Sequence, residues 1–345
     1  MLAVRAGMFL GLCCAAAALP LQPAVAQSSP PTPASASTPA DTAAIWTLQG
    51  ENASLSTAGK LTDRNYANGI RLGWTSGEGG APDFLERLGQ TLWGEGRPRI
   101  AVDLTQQIYT PTDTEVANPP PNDRPYAGVL LGTVSLVQDG ARTRSVLGLG
   151  LGVVGPAALG ESVQNGFHDL IGQNRTAGWD TQLRNEPLIE ITSERTWRLP
   201  TGTVGGLDTD ALPELTAAVG NLRVYAQTGL TFRIGQGLDS DYGVARIRPG
   251  LTGTDVFHPT RPFAWYVFAG ADVQAVAHDV TLNGNSWQDS RSVSLIPGVG
   301  EFQGGFALMA YGARLTYTQV VQTQEYQHQK GGLHQFGSLA LSVRF

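Results

Sequence analysis

The last nine residues, 337–345, constrain the fold of this chain more than any other stretch. Gly337, Leu339, Leu341, Val343 and Phe345 alternate with Ser338, Ala340, Ser342 and Arg344. An extended backbone would put the first set on one face and the second on the other. The same alternation recurs in the middle of the chain, where Leu147, Leu149, Leu151 and Val153 interleave with Gly148, Gly150 and Gly152. Leucines on a lipid-facing side and glycines on a crowded inner side are what a membrane-spanning β-barrel requires. A soluble β-sandwich also alternates, but many segments of about ten residues and a terminal aromatic favour the barrel.

The amino terminus reads as an export signal over residues 1–26. Arg5 precedes an apolar run, and Ala24-Val25-Ala26 supplies small residues at a cleavage site. That run is too short for a membrane helix. Cys13 and Cys14 are the only cysteines and fall inside this segment, so a mature chain would have no disulfide, thiolate metal site or cysteine nucleophile. Residues 27–44, rich in Ser, Pro, Ala and Thr, are expected to form a disordered periplasmic arm. The barrel is expected over 45–345. A net charge of −6 without a basic block argues against a nucleic-acid partner.

Twelve strands are expected, near 45–54, 67–76, 99–110, 127–138, 144–155, 187–198, 213–222, 224–235, 264–276, 303–312, 313–323 and 336–345. Region 236–302 is the least defined, and ten or fourteen strands are alternatives. Residues 83–93 have Phe84, Leu85, Leu88 and Leu92 at helical spacing, which predicts a short amphipathic helix with no evident chemistry. With an even count, both termini share the periplasmic end. The first, third and fifth connections then share the extracellular rim. These connections hold the polar clusters 51–69, 122–128 and 163–180.

Residues 161–171 are predicted to form a helix that stops at Gly172. Val163, Phe167 and Leu170 make an apolar stripe expected to dock it. Gln164 and His168, four apart, share a neighbouring face. A histidine held beside a side-chain amide suits a general base; the bland alternative is a loop histidine without a role. Glu51 and Asn52 end the first strand, and Asp63, Arg64, Tyr66 and Asn68 lead into the second. Oxygen-rich strand tips suit a hard cation such as Ca²⁺, although from composition alone a polar hairpin with an Asp–Arg pair explains them better. Asp123 and Arg124 are expected to lock loop structure by charge pairing rather than act chemically.

The segments ENASLSTAGKLTDRNYANGIRLGW, QQIYTP, DRPYAG, VVGP…VQNGFH…GWDTQLRNEP and the closing FGSLALSVRF resemble the outer-membrane lipid A 3′-O-deacylase family. The resemblance implies a barrel of about twelve antiparallel strands in the bacterial outer membrane, with a short helix in an extracellular loop. It implies hydrolysis of an ester-linked acyl chain of lipopolysaccharide, with Ca²⁺ polarising the ester and a histidine activating water. His168 matches the base, Gln164 the helix amide, and Asn52 one metal ligand, with Glu51 a further candidate. Ala53 stands where the family has an acidic residue, and Ala67 where it has a hydroxyl. By period-two parity both are expected on the lumen side. The expected partners are lipid A and the barrel-assembly machinery, and the protein is expected to be a monomer. The alternatives are an impaired barrel of the same family that binds lipopolysaccharide or is structural, a serine–histidine phospholipase, and a passive pore.

Overall fold

A computed structural model describes residues 40–57, 64–247 and 255–345. The expected signal segment, most of the arm and Asp63 lie outside the described residues. Among these residues, thirteen strand segments form one antiparallel sheet: β1 (Ile45–Asn52), β2 (Asn65–Thr75), β3 (Arg97–Thr110), β4 (Ala127–Asp139), β5 (Thr143–Val154), β6 (Glu186–Trp197), β7 (Leu199–Val204), β8 (Leu207–Gly220), β9 (Arg223–Gln236), β10 (Phe263–Asp279), β11 (Gly298–Ala310), β12 (Ala313–Gln322) and β13 (His334–Arg344). β1 pairs with β13, and β6 with β8, so the sheet closes on itself. β7 continues β6 along the lower half of β8 in nearly the same register (Thr196 opposite Glu214, Leu199 opposite Ala211). The cylinder therefore has twelve staves, as expected. Closure leaves no sheet edge in the bilayer, which a backbone without water demands.

Parity fixes the two faces. On β1, Thr47, Gln49 and Glu51 are buried while Trp46 and Leu48 are exposed. On β2, Arg71 is buried and Ile70 and Leu72 are exposed. On β5, Leu149 and Leu151 are exposed, and a Cβ on Gly150 would press on Leu131 inside. Apolar side chains thus form a continuous outer belt, as lipid contact requires. No helix among the described residues is long and apolar enough to cross a membrane; the crossing is made by strands.

The inside is filled. The β9–β10 connection, the region least defined by sequence, turns back into the lumen. Its Asp255 pairs with Arg71 and with Arg314 at 3.1 Å; Asp241 pairs with Arg314 at 2.9 Å and with Arg233. Arg246 reaches Glu301 at 2.6 Å and Asp272 at 3.1 Å. The Ile247 amide donates to Glu51 Oε1 at 2.7 Å. Buried ion pairs add little net stability once desolvation is counted, but breaking one is costly, so they fix one arrangement of this segment. Periodicity could not reveal it, because its partners come one or two at a time from six different strands.

The end of the expected free arm is ordered. Asp41 pairs with Arg99 at 2.6 Å, with Arg344 at 2.5 Å and with His258 at 2.8 Å. Ala44 and Phe345 exchange two backbone hydrogen bonds at 3.1 Å, extending the β1–β13 seam by one pair. Asp41, a carboxylate surrounded by three cationic or ionisable groups, explains why these residues are held although their composition reads as disordered.

Helix α1 (Asp83–Trp93) lies in the β2–β3 connection, as predicted. Helix α2 (Gly160–Ile171) lies in the β5–β6 connection at the opposite end of the barrel. A single-turn helix, α3 (Val280–Asn283), follows β10.

Candidate active site

Helix α2 is entered through Leu159, at φ 59°, and left through Gly172, at φ 71°. Gly172 is the predicted stop, and the following amide, Gln173 N–H, donates to the His168 carbonyl at 2.8 Å. Gly160 is required by close approach: a Cβ there would lie 2.7 Å from the Trp179 ring and 3.0 Å from the Gly128 backbone. Gly128 is an even-numbered, outward residue of β4. The helix therefore lies on the outer wall of the barrel, over β3 and β4.

The orientation of α2 differs from the predicted one. Val163 packs against Ala67, Ile108, Tyr126 and Trp179, but Phe167 is 50% exposed and Leu170 81% exposed. The buried face is the polar one: Gln164, Asn165 and His168. On an outer wall in lipid the usual rule inverts. Apolar side chains gain nothing by docking inward, and polar ones must find partners in protein.

Those partners come from the return segment after Gly172. His168 Nδ1 lies 2.7 Å from the Asn174 carbonyl. A proton on Nδ1 makes Nε2 the basic nitrogen. Asn165 Oδ1 accepts from the Thr176 amide at 2.8 Å and its hydroxyl at 2.9 Å. Trp179 Nε1 donates to Gln164 Oε1 at 3.1 Å and to Thr176 Oγ1 at 2.9 Å. Gln164 is thereby held by its oxygen, which turns its amide nitrogen the other way. Asn174, Thr176 and Trp179 were not among the candidate residues. The polar run after a glycine helix stop was the signal for them, since a buried polar helix face must be answered by such a run.

Asn52 belongs to the same outer wall. Cross-strand pairing sets Gly337, Asn52, Asn68, Ile108 and Gly128 in one row across β13, β1, β2, β3 and β4, and the last touches the start of α2. Strands are spaced ~4.8 Å apart, so the row carries Asn52 to within roughly 15 Å of Gly128, with Asn68 between them. Asn52 Oδ1 accepts the Ser54 amide at 2.6 Å, capping a short turn over Ala53–Leu55.

Glu51 does not join Asn52. It points into the lumen, fully buried, and accepts from Tyr66 Oη at 2.9 Å as well as from the Ile247 amide. Ala67 departs from its expected face too. A bulge between Tyr66 and Asn68 breaks the parity of β2. Tyr66 pairs with Tyr109 inside, while Ala67 packs with outward Ile108 and with Trp179. Ala53 is buried in the turn after Asn52.

Asp123 accepts from the Thr112 amide at 2.9 Å and from Tyr326 Oη at 2.7 Å. Arg124, fully buried, pairs with Glu325 at 3.1 Å, donates to Thr281 Oγ1 at 2.9 Å and stacks over Tyr109. Asp123, by hydrogen bonds from neutral donors, and Arg124, by an ion pair, tie the β3–β4 connection to the β12–β13 connection. Arg64 turns to the Gly331 carbonyl in the β12–β13 connection. The β3–β4 and β5–β6 connections are joined directly, by Ala177 N–H to Thr114 O and Leu183 N–H to Tyr126 O, both 2.9 Å. Among the described residues no group of three His, Cys, Asp or Glu side chains is placed to hold a metal.

A family model and one solved structure agree with this architecture. The family model described as outer membrane protein LpxR matches residues 10–345. The solved structure of LpxR from Salmonella typhimurium superposes with a TM-score of 0.71 at 19% identity, covering 87% of this chain and all of that one. The β domain of the Bordetella autotransporter BrkA gives a TM-score of 0.41 at 10% identity over 88% of this chain and 98% of its own. The translocator domain of the autotransporter NalP from Neisseria meningitidis gives 0.37 at 11% identity, over 90% of each chain. No curated protein sequence matches.

Proposed function

Because this chain belongs to the LpxR family of outer membrane proteins, we propose that it is a lipid A 3′-O-deacylase-like hydrolase of the bacterial outer membrane. It would remove an ester-linked acyl chain from lipopolysaccharide at the extracellular end of the barrel. The observation that carries this reading is the environment of His168. It is buried between helix and wall, with Nδ1 against the Asn174 carbonyl, which suits Nε2 to take a proton from water as that water attacks an ester. Gln164, fixed by Trp179 and Thr176, would turn its amide N–H toward the developing oxyanion. With α2 on the outer wall, the substrate would reach the site laterally from the leaflet. The closing strand with Phe345 is the element offered to the barrel-assembly machinery, and the protein acts as a monomer.

The family resemblance implies Ca²⁺, and among the described residues no set fits it. Glu51 faces the lumen, Ala53 and Ala67 carry no side-chain oxygen, and the Asn52 amide oxygen already accepts the Ser54 amide. A Ca²⁺ site needs six to eight oxygens, several of them charged. No step is therefore assigned to the metal. This same observation favours a second reading: a family barrel that binds lipopolysaccharide without cleaving it, or serves structurally.

The test is the lipid A mass spectrum of a lipopolysaccharide-bearing host with and without the protein. One discrete loss of a 3′ acyloxyacyl group, absent with His168→Ala, supports the hydrolase. An unchanged spectrum, with the barrel folded in the outer membrane, supports the second reading.

A further inference from the structure

Helix α1 has a surface that neither the barrel nor the proposed chemistry uses. At about 100° per residue, its side chains divide into four arcs. Gly89, Leu85 and Trp93 face the barrel: a Cβ on Gly89 would meet Gln138 at 2.6 Å and Leu136 at 3.6 Å. Arg87 and Thr91 point away from the barrel, and Asp83, Glu86 and Gln90 lie on one flank. On the opposite flank are Phe84, Leu88 and Leu92, which are 62%, 38% and 48% exposed. Three large apolar side chains in line on an 11-residue helix are not the scattered exposure that needs no explanation.

The position of the helix says what covers them. Leu136 and Gln138 are outward residues of β4, so α1 rests on the outer wall over β3 and β4, on the same two staves as α2. Between the helices the wall is bare and apolar, with Val102, Leu104 and Val134 exposed. The α1 contact is at Leu136 and the α2 contact at Gly128. That separation is roughly 26 Å along a strand at ~3.3 Å per residue, or about 20 Å across the membrane at a tilt near 40°. The apolar band of such barrels is about 25 Å tall. The two helices thus sit at opposite borders of the band, and the α1 stripe is continuous with the lipid-facing belt.

We infer that α1 is an interfacial anchor whose Phe84, Leu88 and Leu92 insert among the acyl chains of the inner, periplasmic leaflet. Asp83, Glu86 and Gln90 remain at the water side. The occupant is phospholipid: the stripe prolongs a surface already in lipid, and it lies at the end of the barrel opposite α2.

The test uses the full chain in a Cys13→Ser/Cys14→Ser background, refolded into phosphatidylcholine vesicles. A nitroxide is attached in turn at Phe84→Cys, Leu88→Cys, Leu92→Cys, Asp83→Cys and Gln90→Cys. Collisions with oxygen, enriched in lipid, are compared with those of a water-soluble nickel chelate. The ratio of oxygen to nickel collisions is expected to be several-fold higher at 84, 88 and 92 than at 83 and 90. Equal ratios at all five positions would overturn the inference. So would exclusion of both reagents from 84, 88 and 92: with spin–spin broadening that vanishes on dilution, the stripe binds a second copy; without it, the stripe is buried in protein. All five positions are exposed or at the helix surface, so the substitutions leave folding intact.

Discussion

Glu51 and Asn52 are consecutive in β1 and lie on opposite sides of the barrel wall. The Glu51 carboxylate is inside, hydrogen-bonded to Tyr66 and the Ile247 amide; Asn52 is outside, paired across the strands with Asn68. Glu51→Ala should therefore act on stability. It leaves a buried hydroxyl and a buried amide short of an acceptor, worth about 1–3 kcal/mol each at most. The unfolding midpoint, read by loss of heat-modifiable mobility in gels, should fall, while turnover per folded barrel stays the same. Asn52→Ala removes the side-chain cap of the short turn over Ala53–Leu55 and should also lower the midpoint, by about 1 kcal/mol of stability.

Replacing His168 tests the chemistry. A general base contributes about 10²–10⁴ in rate, so His168→Ala should lower deacylation by that factor with the unfolding midpoint nearly unchanged. Thr176→Val is the finer probe. It deletes the hydroxyl that bonds to Asn165 and Trp179 at almost constant volume. Activity should fall by roughly tenfold, the scale of one displaced hydrogen bond of about 1.4 kcal/mol.

Chelation should leave the wild-type barrel unaffected in detergent, both in unfolding midpoint and in any hydrolysis of purified lipid A. Ala53→Asp adds a carboxylate beside Asn52 on the turn. Combined with Ala67→Thr, it should produce a Ca²⁺-dependent rise in midpoint, measured with and without chelator. Ala67 is fully buried beside Trp179, so the threonine alone should cost about 1–3 kcal/mol by overpacking.

The acid response should centre on His258. Burial, together with the nearby Arg99 and Arg344, holds its imidazole below the usual histidine range, against the pull of Asp41 and Asp139. Its ring fits the neutral form: Nδ1 is 2.8 Å from Asp41 and Nε2 accepts from Arg99 at 3.1 Å. A lowered pKa in the folded state means the contribution is complete above the free-histidine value and is lost as pH falls through the lowered one. Unfolding midpoints of the wild type should therefore drop across that acid window, and His258→Gln, which cannot titrate, should lack the drop.

Because the β9–β10 segment fills the lumen, planar bilayers carrying the protein should show no steady conductance. Replacing residues 237–262 by a short turn should open one. A conducting wild type would contradict the observed filling.

Much of this architecture can be read from the sequence. Alternation at Leu149 and Leu151, the helix stop at Gly172 and the amphipathic segment beginning at Asp83 each rest on local rules, and all three hold. What escapes is set by partners far away in the chain. One inserted residue at Ala67 reverses its side of the wall, and no local pattern announces the bulge. The apolar stripe of α2 is visible, but its direction depends on the solvent being lipid. Asp41 looks like part of a loose tail until Arg99, Arg344 and His258 are placed around it. The lumen segment is polar and irregular by itself, and its regularity belongs to the staves that surround it.

The β1–β13 seam joins the first and last staves through pairs such as Ile45 with Arg344 and Asn52 with Gly337. Contacts of such sequence separation form late, after the loop entropy of nearly the whole chain has been spent. Until then the two terminal strands carry unsatisfied backbone groups and invite association with other chains. A polypeptide cut short by even a few C-terminal residues could not zip shut, and quality control in the periplasm would meet it as an open, sticky ribbon.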